Sequence, residues 1–143
     1  MSRDAVARRV YAWEDRVVAP RDRSVVRFEH MQALVDHVWA AEGLRWPPRM
    51  RHRKATRATL ATGSRLAIEA PDELPSWVLL HEIAHALCDP DDGRAGDHGA
   101  DFVGLYVHLL VRHARLDRDM LAQSLAEAGI AWNPDARPAL LRD

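Results

Sequence analysis

The sequence predicts an α+β fold, in which two amphipathic helices precede a short stretch of strands and three further helices follow it. Three observations carry this expectation. Apolar residues recur at helical spacing on both sides of residues 49–69, and within that stretch the pattern shortens to alternation. Prolines and glycines mark each change of pattern.

Val6, Val10, Tyr11 and Trp13 recur at helical spacing, and Pro20 lies beyond them, so a first helix is expected from Asp4 to about Val18. Phe28, Met31, Leu34, Val35, Val38 and Trp39 form one stripe over Phe28 to Ala41, with Gly43 where a C-cap belongs. Trp46, Pro47 and Pro48 break the regular pattern. A small antiparallel sheet is expected between Arg49 and Glu69, with Thr62-Gly63 as the turn joining Arg57–Ala61 to Ser64–Glu69. Pro75 suits the first turn of the next helix, which runs through Trp77, Leu80, His81 and Leu87 until Asp89 and Pro90. Asp97 is placed to cap a helix through Phe102, Leu105, Leu109 and Val111, and Leu116 to Ile130 reads as the last. No repeat or long linker divides the chain, so 1–143 is read as one domain with an irregular tail from about residue 133.

At 143 residues and 48% hydrophobic, the chain can bury one ordinary core without staples. A formal net charge of -1 gives no general attraction to nucleic acid or an anionic membrane. The lone cysteine, Cys88, excludes an internal disulfide and points to a reducing compartment. No run approaches the roughly 20 apolar residues of a bilayer helix. Met1 to Arg16 also lacks the apolar core of a secretory signal, so a cytoplasmic protein with no membrane partner is expected.

The chemistry concentrates in His81-Glu82-Ile83-Ala84-His85. On a helix the i, i+4 spacing sets two imidazoles one turn apart on one face, where they can share a zinc ion. Glu82 follows the first by about 100° of rotation, placed to take a proton from water at the metal. Leu79, Leu80, Ile83 and Leu87 anchor the opposite side of the helix. Catalytic zinc takes three protein ligands and keeps one position open. His98 is the expected third ligand because it opens the next helix on the face shared by Phe102, Leu105 and Leu109. Asp101, one turn later, is the alternative oxygen ligand, and Asp97 or Asp101 can instead orient a zinc histidine through its second nitrogen. Tyr106 and His108 lie further along and offer polarisation of a substrate carbonyl, although Tyr106 also fits a core position.

H-E-I-A-H, twelve residues, then H-G-A-D-F resembles the metallopeptidases whose third ligand begins an H-G-x-x-F segment, as in SprT-like proteins. The wider chain resembles a family of metallohydrolases of high-GC bacteria and their phages. The resemblance implies a small zincin-like domain, a zinc cofactor and hydrolysis. It does not extend to the metzincins, whose additional glycine and histidine would fall on Cys88 and Asp91. Bacterial endoribonucleases with three zinc histidines lack a counterpart of Glu82 and keep a shorter gap to the last histidine.

The function expected is therefore a zinc-dependent hydrolase, a metallopeptidase cleaving amide bonds, with a peptide or protein as substrate. Strand Ser64–Glu69, just before the metal helix, is expected to be the sheet edge that receives it. Three alternatives remain: a SprT-like protease acting beside DNA, a non-catalytic regulatory zinc protein, and a metal-dependent ribonuclease. The basic run Arg45, Arg49, Arg51, His52, Arg53, Lys54 and Arg57 bears on the nucleic-acid alternatives. With Trp46 as its only interleaved aromatic, the run reads more simply as a solvated sheet face.

Overall fold

A computed structural model describes residues 2–57, 59–88 and 98–139. Helix α1 (Arg3–Trp13) starts where the Ser2 side chain accepts the Ala5 N–H at 3.1 Å. It runs on into a π-helical turn (Glu14–Val18), marked by the Ala19 N–H reaching the Glu14 carbonyl at 2.9 Å. Val10, Trp13, Val17 and Val18 are buried, and the Trp13 indole N–H donates to Ser124 Oγ at 2.8 Å. Strand β1 (Val25–Arg27) leads directly into α2 (Phe28–Ala41), which buries Met31, Val35, Val38 and Trp39 and matches the expected span. The chain leaves α2 through Gly43 at φ +76, a left-handed conformation that costs glycine little.

Strands β2 (Arg49–His52), β3 (Thr62–Gly63) and β4 (Ala67–Ala70) form a three-stranded sheet in the order β2-β4-β3. Strand β4 pairs parallel with β2, Met50 opposite Ile68, and antiparallel with β3, Gly63 opposite Ile68. The sheet is thus mixed, and not the antiparallel sheet expected. The returning chain enters as β3 on the far side, and the β3–β4 turn then folds β4 into the centre. Met50 N–H and Pro48 carbonyl on the outer side of β2 are met by the Gln32 amide of α2, at 2.7 and 3.1 Å. Strand β5 (Glu73–Pro75) pairs antiparallel with β1, a contact the sequence pattern did not disclose because both strands are only three residues long.

The expected turn at Thr62-Gly63 is also corrected: these residues are strand, and the chain reverses after them, where the Ser64 N–H bonds the Ala67 carbonyl at 2.9 Å. Gly63 stands there because a strand presses on the next helix. A Cβ at Gly63 would run into the carbonyl oxygen of Glu82 and lie 2.9 Å from the Glu82 Cβ.

Helix α3 (Ser76–Cys88) begins just after Pro75, which belongs to β5 and not to the first helical turn. Helix α4 (Ala100–His113) packs along α3, and α5 (Arg118–Glu127) begins where Asp117 accepts the Met120 N–H at 2.8 Å. The last helix is shorter than the expected Leu116–Ile130 at both ends. Residues 133–139 contain no long helix or strand, and they are fastened, since Asn133 N–H bonds the Ala100 carbonyl at 2.9 Å. Gly104 admits the tail, because a Cβ there would collide with the Asn133 carbonyl. Among the described residues one apolar cluster runs from Val10 to Ile130 and draws on helices α1 to α5 and on both sheets. Among the described residues no helix is long and apolar enough to cross a membrane.

Candidate metal centre

Helix α3 is enclosed on every side, with Val78 to Leu87 buried without a break. His81, Glu82 and His85 thus leave the core only where the fold opens a cavity of about 680 Å³ above them. His98 reaches the same place from another direction. It lies two residues before α4, ahead of the Gly99 N-cap, and so does not open the helix as expected.

His98 Nε2 is 3.3 Å from His81 Nε2 and 3.3 Å from His85 Nε2. Three nitrogens about 2.0–2.1 Å from one tetrahedral ion would lie roughly 3.3–3.4 Å apart, which matches the two separations from His98, and all three donor atoms lie within 4.8 Å of one another. The donor chemistry fits as well. Burial, with the charges of His81 and His98 adding to it, pushes the His85 imidazolium down to about 2, so His85 is neutral and offers a lone pair. Two imidazole lone pairs turned toward one another at this distance repel unless a proton or a metal cation lies between them.

The His81 tautomer is set from behind. His81 Nδ1–H donates to Glu14 Oε2 at 2.6 Å, and the same oxygen accepts the Tyr106 hydroxyl at 2.7 Å. Burial alone would lower the His81 pKa, but the Glu14 carboxylate raises it overall through charge and hydrogen bond. The Glu14 carboxylate leaves His81 Nε2 as the atom facing the cavity and holds the ring in place. Glu14 is 2% exposed, a depth at which a carboxylate requires such partners. Phe102 forms the floor: its ring stacks on His85 at 4.2 Å and meets His81 and His98 edge-on at 5.0 Å each.

Glu82 lines the cavity beside the histidines. Burial pushes its carboxyl up to about 7, helped by Glu14 and opposed by His81 and Arg53. A carboxyl in that range exchanges a proton readily at neutral pH. Tyr11 covers the open side, half exposed, with its ring stacked on His81 at 6.1 Å and edge-on to His98 at 5.1 Å. Burial, then the charges of Glu82 and Glu14, raises the Tyr11 pKa, so its hydroxyl is a donor at neutral pH.

Of the residues expected at the site, the structure brings together His81, His85, His98 and Glu82. Asp101 is not with them: it is exposed, and its Oδ1 accepts the Asn133 side-chain amide at 2.9 Å, because its position on α4 faces the tail. Asp97 lies outside the described residues. Tyr106 is fully buried beneath His81, spent on Glu14, and does not line the cavity, so it is not placed to polarise a substrate. His108 is on the far side of α4, donating to Glu42 at 2.8 Å. In the basic run Arg53 turns in to Glu69 at 3.3 Å, while Arg49 and Arg51 stay exposed.

Sequence reading missed Glu14 and Tyr11. The one available signal was a carboxylate within the buried stripe Val10, Trp13, Val17, Val18, where an acid requires a partner. Comparison of the chain with protein-family models, with curated proteins and with solved structures returns no match, so the chemistry of this site rests on its own residues.

Proposed function

We propose that the chain is a zinc-dependent hydrolase cleaving amide bonds in peptides. The observation that carries this reading is the convergence of three imidazole Nε2 atoms at zinc-site spacing with a buried carboxylate, Glu82, beside them in an open cavity. His81, His85 and His98 would hold the ion. When bound, zinc supplies a Lewis acid that acidifies water and polarises a carbonyl.

The remaining work falls to the chain. Glu82 takes a proton from the attacking water on its carboxylate and passes it to the departing amine, from its place in the cavity beside the three histidines. Glu14 keeps His81 in one tautomer throughout. The substrate's path is supplied by β3 and the residues before it, since Thr59, Leu60, Ala61, Thr62 and Gly63 line the cavity. This moves the peptide edge from the expected Ser64–Glu69: β4 is the central strand with both sides paired, and among the described strands of this sheet it is β3 whose residues line the cavity.

The test is zinc content and peptide hydrolysis measured together. The purified chain should hold one zinc, and Glu82→Gln should keep it while losing about 10²–10⁴-fold in rate on a mixed peptide library. Zinc binding with no Glu82-dependent hydrolysis would leave a regulatory metal protein.

A further inference from the structure

The cavity holds one aromatic hydroxyl that the hydrolytic reading does not use. Tyr11 and Glu14 lie three residues apart on the first helix and its π-helical continuation, so one segment reaches the histidines twice. Glu14 meets His81 from beneath, at Nδ1, while the Tyr11 ring lies against His81 and His98 and lines the cavity. Core packing does not explain this placement. Tyr11 is 49% exposed, among the more exposed large apolar side chains, although neighbouring Val10 and Trp13 are sealed. Glu82 lines the same cavity, so a carbonyl at the metal would lie within a chamber walled by a carboxylate and by a phenol.

We infer that Tyr11 is a catalytic residue, whose hydroxyl donates a hydrogen bond to the substrate carbonyl oxygen as that oxygen becomes an oxyanion. The inference rests on the hydrolase reading and assigns the task that Tyr106 cannot perform from its buried position. In the step, the water oxygen bonds to the carbonyl carbon while one of its protons moves to Glu82. The C–N bond then breaks, and the amine leaves with the proton that Glu82 returns. Tyr11 keeps its own proton from beginning to end, as a phenol with an ordinary pKa of about 10 does at neutral pH. Its hydrogen bond is short and strong only when negative charge gathers on the oxygen, so it favours the transition state over the bound peptide.

Tyr11→Phe separates this role from ring packing, because the stacking surface against His81 stays and only the hydroxyl goes. Zinc content and KM should stay at the level of the unmodified chain, and kcat should fall at least about tenfold, toward the roughly 10²–10³-fold found for loss of one oxyanion donor. A second readout does not depend on turnover. Binding to the zinc-loaded protein is compared for a phosphinic dipeptide, whose tetrahedral centre presents oxygens to Tyr11, and for ethanethiol, which has no oxygen and ligates through sulfur. Tyr11→Phe should weaken the phosphinic compound about tenfold or more and leave the thiol unchanged. Unchanged kcat together with unchanged phosphinic binding overturns the role of Tyr11, and if Glu82→Gln is still inactive the hydrolase reading stands without it. Equal weakening of both ligands also overturns it, by showing a disturbed metal site. Failure of the unmodified chain to take up zinc removes both readings at once.

Discussion

Glu14 Oε2 lies 2.6 Å from His81 Nδ1, joining residues 67 positions apart in the chain. The pair ties the end of the first helix to α3 and fixes which nitrogen of His81 faces the cavity. Removal of Glu14 acts on both. Glu14→Ala should lower zinc affinity by roughly 10–100-fold, as loss of a carboxylate behind a metal histidine does. It should also destabilise the metal-free chain by about 1–3 kcal/mol, because His81 and Tyr106 lose their shared acceptor in the core. Chelator competition and thermal unfolding check the two effects, and wild-type affinity in Glu14→Ala would remove Glu14 from the site.

His98 and Asp101 separate on the same assay. His98 Nε2 stands 3.3 Å from both other donors, whereas Asp101 points to Asn133. His98→Ala should lose zinc nearly as fully as His81→Ala, since two ligands cannot close the site. Asp101→Asn should bind zinc almost normally and show at most a small fall in stability. The reverse order under chelator titration would make Asp101 the ligand.

Gly63 gives a test of how β3 sets Glu82. Gly63→Ala forces a methyl group against the Glu82 backbone, and strand or helix must move. A cost of about 1–3 kcal/mol in stability is expected, with loss of hydrolysis larger than loss of zinc, because the displaced residue is Glu82 and not a histidine. Activity and metal content falling in equal proportion would count against a specific effect on Glu82.

Glu42 and His108 predict a pH dependence away from the metal. The hydrogen bond between them is the main cause of a raised His108 pKa, against the effect of burial, and of a lowered Glu42 pKa. The His108 contribution is fully present below its ordinary value of 6.5 and is lost as pH rises through the raised value. The Glu42 contribution is present above 4.5 and is lost as pH falls through the lowered value. Stability from the pair is therefore complete between about pH 4.5 and 6.5. With the His108 side chain 47% exposed, solvent screening keeps the gain under about 1 kcal/mol. The melting temperature of His108→Gln should trail the unmodified chain most near the middle of that window and converge with it in alkaline solution. A constant gap across pH would mean lost packing and not lost charge.

What the sequence determined by itself was local. The i, i+4 histidines, Glu82 between them and the apolar faces of α2 and α3 follow from helical periodicity, which needs only near neighbours. His98 was legible as a third donor through its residue type and its place after the loop. The tertiary structure decided what depends on contacts between distant segments. Thr62-Gly63 looked like a turn because a missing side chain reads as freedom, and only the approach of α3 shows that it reads as closeness. β2 runs parallel to β4 because of how the chain between them returns, which no strand pattern encodes. Asp101 and Tyr106 had the right chemistry at the right helical spacing, but α4 turns one toward the tail and buries the other. The carboxylate behind His81 came instead from Glu14, because a hydrogen bond is chosen by distance in space and the first helix ends against α3.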